Sequence, residues 1–186
     1  MIVDEKNAVV RLVGRRETVS KRLLGRGAYC VVLDEARAHM LVQRRSESKD
    51  LYPGMLEVCV AGVCTGTGLA GQQPAPGEYE GYEDTALREL TEELGLPRGT
   101  TADELSLRRV GAGGGVFEYE DDSCHVFACV LEAAVPDRMR SALTPQAEEV
   151  QWARWVPIEE ACADLEGVTP VGRQVLARWR HEQRLT

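Results

Sequence analysis

Hydrophobic residues along the chain follow two spacings, one typical of strands and one typical of helices. Apolar runs rich in β-branched residues predict strands, whereas apolar residues three and four positions apart predict helices. The pattern predicts a hairpin over 2–13 and strands over 28–34, 39–45, 55–64, 105–110, 116–120, 124–132 and 149–156. It predicts helices over 17–24 and 82–94, and two further helices that begin at Pro157 and at Pro170. Because the two kinds of element alternate, we expect a mixed α/β domain.

The clearest local signals mark the helix predicted over 82–94. Gly81 stands near its N-cap and Gly95 at its C-terminal cap, a position at which glycine is favoured. On a helical wheel, a contiguous apolar stripe is formed by Ala86, Leu87, Leu90 and Leu94. We expect this stripe to enter the core.

Three carboxylates of the same helix, Glu89, Glu92 and Glu93, share an arc of roughly 100° on the side away from the apolar stripe. Like charges three and four residues apart oppose a helix by roughly 0.2–0.5 kcal/mol per pair. A solvated acidic surface is one interpretation of this arc. The other is a site for a hard cation, because carboxylate oxygens suit Mg²⁺ or Mn²⁺ and the oxygens of a diphosphate complete the shell of such an ion.

Composition narrows the possible partners. The chain has 186 residues, with 22 Lys and Arg against 30 Asp and Glu, and a net charge of −8. An acidic chain does not suit electrostatic binding of a nucleic-acid duplex, and it binds a small anionic substrate only with the help of cations. The N-terminal segment carries acids where a secretory signal carries bases, and no apolar run approaches the roughly 18 residues of a membrane span. We therefore expect a cytoplasmic protein that is not bound to a membrane.

The six cysteines form no C-x-x-C pair and lie mostly in apolar runs. A domain of this size does not need disulfides for its stability. We therefore expect reduced, mostly buried thiols.

The sequence around the three carboxylates resembles the Nudix box. Glu80 is followed by seven residues and then by the run RELTEELGL over 88–96, which matches the family pattern from its first Glu onward. The pattern also has a Gly separated from that Glu by five residues, whereas 17 residues separate Gly62 from Glu80 here, so we expect an insertion over 65–79. The pair Gly77-Glu78 also imitates the start of the box, which leaves Glu78 or Glu80 as its first Glu.

The resemblance implies an α/β fold, a Nudix-type α/β/α sandwich with a mixed central sheet. It extends over most of the chain. We therefore expect residues 1–186 to form a single Nudix domain, with the hairpin and short helix of residues 1–27 appended to it.

The resemblance also implies roles for the residues of the box. Glu89, Glu92 and Glu93 are expected to bind Mg²⁺ or Mn²⁺. Glu89 or an acid from another loop is expected to deprotonate the attacking water. Arg88 is expected to complete the catalytic set with Glu89 and Glu92, held by Glu80 in an ion pair.

Acids outside the box are candidates for the same site. Glu120 occupies a position at which related isomerases carry a metal-binding acid, although the YEDD segment is also an ordinary polar turn. Glu148 and Glu149 lie in a loop before a strand, from which some Nudix enzymes recruit the base. A solvated acidic pair is the other interpretation of those two residues.

Cations and aromatic residues supply candidates for substrate binding. Arg44, Arg45 and Lys49 lie in the segment QRRSESKDLYPG, where a guanidinium can bind a phosphate through two hydrogen bonds. The exposed end of a hairpin is the other interpretation, and we expect at least one of the three to bind substrate. Trp152 and Trp155 could stack on a nucleobase, but a tryptophan in a strand more often belongs to the core.

The expected function is magnesium-dependent hydrolysis of a diphosphate linkage in a nucleoside diphosphate or one of its derivatives. Other segments resemble the bacterial Nudix branch that is similar to isopentenyl diphosphate isomerases. Those isomerases use a Cys and a His where this chain has Ala61-Gly62-Val63, which opposes the isomerase alternative. A non-catalytic nucleotide-binding domain is the second alternative, and the intact glutamates of the box oppose it. The expected partner is a small diphosphate substrate, with a homodimer left open.

Overall fold

The computed structural model describes residues 1–163 and 166–184. The strands are β1 (Ile2–Val3), β2 (Val9–Arg11), β3 (Gly25–Asp34), β4 (His39–Arg45), β5 (Leu56–Glu57), β6 (Val60–Val63), β7 (Arg108–Arg109), β8 (Val116–Glu120), β9 (His125–Val135) and β10 (Val150–Pro157). The helices are α1 (Arg15–Ser20), α2 (Tyr82–Leu94), α3 (Asp137–Arg140), α4 (Ile158–Ala163) and α5 (Pro170–Gln183). None of the helices described is long and apolar enough to cross a bilayer.

The strands form one mixed sheet. Its long central pair is β3 and β9, which run parallel from Gly25 opposite Val126 to Asp34 opposite Val135. The remaining ladders are antiparallel: β4 lies between β3 and β10, and β8 lies along the far side of β9. The predicted hairpin at the N-terminus is present as β1 and β2, and β1 also joins the sheet through a pair with Gly25.

Helices cover both faces of this sheet. One apolar cluster packs α2 against the sheet through Ala86, Leu90 and Leu94. A second cluster packs α4 and α5 against the opposite face through residues such as Val175 and Leu176. The prediction of an α/β/α sandwich with a mixed central sheet is therefore confirmed.

The prediction of one strand over 55–64 was wrong in one respect. The segment forms two strands, β5 and β6, which are separated by Val58 and Cys59. β5 pairs with β4, whereas β6 pairs with β3. β3 and β4 meet only next to their connecting turn, at Leu33 and Met40, and then diverge. One continuous strand could not pair with both diverging neighbours, so the segment bends between them.

Two other predictions needed correction. The strand predicted over 105–110 is reduced to β7, because residues 101–107 form turns that are closed by backbone hydrogen bonds such as Leu107 N to the Ala102 carbonyl. The helix predicted over 17–24 lies instead at Arg15–Ser20. The prediction for the cysteines is confirmed: all six are free, and all except Cys124 are buried.

A buried carboxylate joins the C-terminal helix to the centre of the sheet. Glu132 on β9 has no solvent exposure. It accepts hydrogen bonds from Arg37 Nη1 at 2.5 Å, Arg108 Nε at 2.8 Å, Trp179 Nε1 at 2.7 Å and Gln183 Nε2 at 3.0 Å. Burial alone would raise the pKa of Glu132, but the bonds from Arg37 and Trp179 outweigh it and lower that pKa. The charge is thus compensated inside the fold.

Candidate active site

Local sequence fixes both ends of α2, the helix that carries the three carboxylates. At its start the Asp84 carboxylate accepts a hydrogen bond from the Gly81 backbone N–H at 3.0 Å, which satisfies a free donor of the first turn. At its end Gly95 adopts a left-handed conformation with φ 67°, and a Cβ there would crowd Thr144. Only glycine meets both requirements at this cap without strain. The predicted bounds of this helix, 82–94, are confirmed.

Arg88 anchors α2 to the loop that precedes it. Its Nε and Nη2 atoms lie 2.7 and 3.1 Å from the two oxygens of Glu80, and Nη2 also donates to the Val63 carbonyl at 3.2 Å. Glu80 accepts a further bond from the Thr65 backbone N–H at 3.1 Å. Partial burial of Glu80 opposes ionisation, but the bonds from Arg88 and Thr65 outweigh it and lower the pKa of Glu80 to about 2. The ion pair that the resemblance implied is confirmed.

The same contacts decide which acid opens the box. Glu78 turns away into its own loop, where its carboxylate accepts a hydrogen bond from the Ala75 backbone N–H at 2.8 Å. Glu80 is the acid that meets Arg88. The sequence had left both residues open for this position.

Arg88 also holds two of the three carboxylates of α2. Its Nη1 atom lies 2.6 Å from Glu89 Oε1 and 3.2 Å from Glu92 Oε2. Glu89 lies against Gly62 on β6, where any Cβ would overlap its carboxylate. Burial raises the pKa of Glu89, and the charge of Arg88 opposes that rise. A glycine in β6 is therefore what leaves room for this carboxylate between helix and sheet.

The third carboxylate lies in a different environment. Glu93 is only 7% exposed, and its Oε2 accepts a hydrogen bond from Gln43 Nε2 on β4 at 3.2 Å. Burial raises the pKa of Glu93 to about 7, although the bond from Gln43 opposes the rise. Gln43 Oε1 is also buried, and it has no hydrogen-bond partner in the part of the chain that the structure describes.

The three carboxylates therefore do not share one solvated side of α2, as the helical wheel had suggested. The exposed fraction of the side chain is 57% for Glu92 and 16% for Glu89, while Glu93 is buried. The apolar stripe is also shifted, because Tyr82 and Thr85 are buried whereas Leu87 is only half-buried. The sheet and the loops beside it cover a wider part of the helix than its apolar residues alone indicate.

The environment of Glu93 predicts a pH-dependent stability in the absence of divalent ions. Its pKa is about 7 in the folded chain against 4.5 in an unfolded one. The folded state thus binds more protons between these values, and the stability is retained below about pH 4.5 and lost as the pH rises through about 7. We expect Glu93→Gln to be more stable than wild type at pH 8.5 by about 2–3 kcal/mol, and the difference to shrink at pH 5.

Urea unfolding in EDTA at the two pH values measures this difference. Glu92→Gln is the matched control, because it removes an exposed carboxylate from the same helix and should change the stability by no more than about 1 kcal/mol at either pH. A Glu93→Gln advantage that does not change with pH would contradict the assignment of the titration to Glu93.

Two cations lie on the Glu93 side of β4: Arg45 at the end of the strand, and Lys49 in the loop after it, which interacts electrostatically with Glu93. Arg45 lies on the same side of β4 as Gln43, contacts Glu57 of β5, and donates to the Leu51 carbonyl at 3.1 and 2.9 Å. Lys49 contacts Glu149, which comes from the loop before β10. Burial raises the pKa of Glu57, and Arg45 opposes that rise. Charges of both signs thus surround Glu93 on this side of the sheet.

Glu57 is the residue that sequence reasoning missed. It is buried, and its second oxygen accepts a hydrogen bond from Thr169 Oγ1 at 3.2 Å. The signal was present in the run MLEVCVAGVC, where Glu57 is the only charged residue among apolar neighbours. A lone acid in a buried strand requires a cationic partner, and Arg45 supplies it.

Two predicted site residues are not brought to this cluster. Arg44 points to the opposite face of β4, where its cross-strand neighbour is Trp152. Glu120 lies at the end of β8, is exposed, and binds Arg22 at 3.0 Å. Its neighbour Asp121 is more fully engaged, since it accepts hydrogen bonds from two tyrosine hydroxyls and from two backbone N–H groups.

The donor atoms of the cluster suit a hard divalent cation. Within residues 1–163 and 166–184, no three His, Cys, Asp or Glu side chains already converge as a set that could hold a metal ion. Glu89 and Glu92 are instead held by Arg88, and Glu93 by Gln43. Every donor is an oxygen, and the unpartnered Gln43 Oε1 lies beside them, which is the chemistry that Mg²⁺ and Mn²⁺ prefer.

Comparison with known proteins shows the family and the fold of the chain. The NUDIX domain family matches residues 23–179. The Nudix hydrolase YfcD of Escherichia coli K12 is 30% identical over 178 residues, which cover 96% of this chain and 84% of the relative. Among solved structures, protein DR0079 of Deinococcus radiodurans superposes with a TM-score of 0.62 at 20% identity, covering 96% of this chain and 98% of that one. The MutT protein of Methanosarcina mazei Go1 gives a TM-score of 0.59 at 19% identity, with 87% and 96% covered. The chain belongs to the Nudix family and is a Nudix hydrolase.

Proposed function

We propose that this hydrolase uses Mg²⁺ or Mn²⁺ to cleave a diphosphate linkage in a nucleoside diphosphate or one of its derivatives. The observation that carries the proposal is the placement of Glu89, Glu92 and Glu93 on α2, with Lys49 near Glu93 and Arg45 on the side of β4 from which Gln43 contacts Glu93. Carboxylates alone would repel a diphosphate, and cations alone would not activate it. The two together can hold divalent ions and the phosphates that those ions bind.

Each group has a role in this proposal. Glu89, Glu92 and Glu93 would hold the divalent ions, which supply positive charge that offsets the charge developing on the phosphoryl oxygens. Arg88 keeps Glu89 and Glu92 on one side of α2 and fixes the helix to Glu80.

Residues of β4 and of the loops next to it would bind the substrate and transfer the proton. Lys49 reaches the site from the loop after β4 and would bind a phosphate oxygen, with Arg45 beside it. Glu149 contacts Lys49 and is half-exposed, so its carboxylate can accept a proton from an attacking water. Glu89 is the alternative base, from within α2.

Gly62→Ala tests the fit between β6 and α2. A Cβ at this position would overlap the Glu89 carboxylate, so the Glu89 side chain must turn away. Because misplacing a catalytic group by about 1 Å costs as much as a hundredfold in rate, we expect turnover to fall at least about tenfold. Gly14→Ala is the control, since a Cβ there meets no atom within 4 Å and its φ of −68° suits any residue. Turnover of Gly62→Ala equal to that of Gly14→Ala would contradict the role of Glu89.

A substrate screen tests the function itself. Purified protein is incubated with nucleoside diphosphate derivatives and with isoprenoid diphosphates, each with Mg²⁺ and with EDTA, and phosphate is measured before and after treatment with a phosphomonoesterase. The proposal predicts phosphate release that requires Mg²⁺. When both phosphates of the linkage carry a substituent, the products are phosphomonoesters, and phosphate appears only after the esterase is added. Rearrangement of isopentenyl diphosphate without phosphate release would contradict the proposal and favour the isomerase.

A further inference from the structure

A groove of about 590 Å³ lies at the end of β4, on the face of the sheet away from α2. The residues that line it include Arg44, Glu47, Met55, Leu56, Trp152 and Arg154. Its volume falls within the range of small-molecule sites, roughly 300–1,000 Å³. None of the α2 carboxylates lines it.

The sheet register explains how this groove is built. Trp152 on β10 pairs with Arg44 on β4, and Arg44 pairs in turn with Leu56 on β5, so the three side chains form a row on one face. Arg154 lies two residues along β10 on the same face, and its guanidinium stacks over the Trp152 ring at 4.9 Å. One wall of the groove thus carries an indole with a guanidinium plane over it.

The groove is lined by more positive than negative charge, with Arg44 and Arg154 against Glu47. Glu47 forms an ion pair with Arg44, but its carboxylate lies 3.7 Å from Arg44 Nη2, which is too long for a hydrogen bond. Arg44 Nε is buried and has no hydrogen-bond partner among the residues that the structure describes. Arg154 is exposed on the same face. This excess of positive charge favours an anionic ligand.

We propose that this groove binds a nucleotide. Nucleobases stack on aromatic rings and on guanidinium planes, which is the surface that Trp152 and Arg154 present. A guanidinium with free donors binds a phosphate bidentately, which is the role of Arg44. Glu47 can accept hydrogen bonds from ribose hydroxyls at the rim of the groove.

The nucleotide has two sources with the same chemistry. Arg44 and Arg45 are consecutive, so the groove and the carboxylate cluster lie on the two faces of one strand end. The groove holds either the nucleoside part of the substrate, in which case the inference rests on the proposed function, or a separate nucleotide. Both sources require the same contacts in the groove.

Binding of adenosine 5′-monophosphate in EDTA tests the site without requiring metal or hydrolysis. Tryptophan fluorescence should be quenched saturably, and Trp152→Phe should abolish the quenching. Trp155→Phe is the matched control, because Trp155 lies on the other face of β10 under Arg140 and should leave the quenching intact.

Substitutions of the cations extend this test. Arg44→Gln and Arg154→Ala should each weaken binding at least about tenfold, while Glu83→Gln, on α2 and paired with Arg109, should bind as wild type does. Near-ultraviolet circular dichroism of the aromatic side chains, among them the buried Trp179, verifies that each variant is folded. The proposal is overturned if the nucleotide does not quench, if Trp152→Phe is quenched as strongly as wild type, or if folded variants of both arginines bind with unchanged affinity.

Kinetics then separates the two sources. If the nucleotide inhibits hydrolysis competitively and Arg44→Gln raises KM more than it lowers kcat, the groove holds the nucleoside part of the substrate. If the nucleotide still binds when substrate is saturating, the groove holds a separate nucleotide. If the protein binds the nucleotide but hydrolyses no diphosphate, the proposed function is wrong, whereas the nucleotide site is still supported.

Discussion

Glu92→Gln is expected to lower the turnover of a nucleoside diphosphate substrate by at least about a hundredfold while the protein stays folded. The carboxylate is 57% exposed and lies 3.2 Å from Arg88 Nη1, so its removal costs little stability. Glutamine keeps the shape of the side chain but loses the charge that a divalent ion requires. Turnover with Mg²⁺ and urea unfolding, measured on the same preparation, check the two halves of this prediction.

Glu83→Gln is the matched control on the same helix. Glu83 binds Arg109 at 2.5 and 2.8 Å, outside the carboxylate cluster, so this variant should keep the wild-type rate. Wild-type turnover by Glu92→Gln would show that Glu92 is not part of the site. Equal losses in both variants would show that the effect belongs to α2 as a whole.

Glu132→Ala is expected to reduce the free energy of unfolding by about 3 kcal/mol. The change removes the acceptor of the Trp179 indole N–H and leaves the charges of Arg37 and Arg108 without their partner. The two arginines are 39% and 53% exposed and can turn to water, which keeps the cost at the lower end for a broken buried ion pair. Chemical denaturation at pH 7 measures the loss.

Glu118→Ala provides the comparison for this second prediction. Glu118 is exposed on β8 and pairs with His125 at 2.7 Å on the surface, so its loss should change the free energy of unfolding by no more than about 0.5 kcal/mol. If Glu132→Ala were as stable as Glu118→Ala, the buried carboxylate would not be what joins α5 to the sheet.

Elements with strong local signals could be predicted from the sequence. The bounds of α2 and the start of α5 follow from caps, and the structure reproduces both, including Thr169 Oγ1 accepting from the Gly172 N–H at 3.2 Å. β4 and β8 also match their predicted bounds, because each is a regular strand paired along its length. Caps and alternation are properties of neighbouring residues, so they can be read from a single sequence.

Features that depend on distant partners could not be predicted. The break between β5 and β6 depends on the divergence of β3 and β4, which no local pattern encodes. The burial of Glu93 depends on the approach of Gln43 from a strand 50 residues away. In both cases a residue or strand that is distant in sequence determines the local structure. The apolar run alone predicts one continuous strand, and the helical wheel alone predicts a Glu93 that is not buried.

Strand alternation could have separated two of the candidate site residues. Arg44 and Arg45 are consecutive in β4, so their side chains must point to opposite faces of the sheet. They were predicted to bind substrate together with Lys49 because all three residues are positively charged. That prediction did not take the two-residue alternation of a strand into account. The structure assigns Arg45 to the carboxylate side and Arg44 to the groove.

Binding of divalent ions to the carboxylates of α2 is the step on which the proposed hydrolysis depends most directly. Electron paramagnetic resonance of Mn²⁺ titrated into the protein measures this binding, with Mg²⁺ added as competitor. We predict that wild type binds Mn²⁺, that Mg²⁺ displaces it, and that the double variant Glu89→Gln/Glu92→Gln binds at least about tenfold more weakly while Glu83→Gln does not. Mn²⁺ binding of equal strength in the double variant and in wild type would contradict the assignment of the metal site to α2.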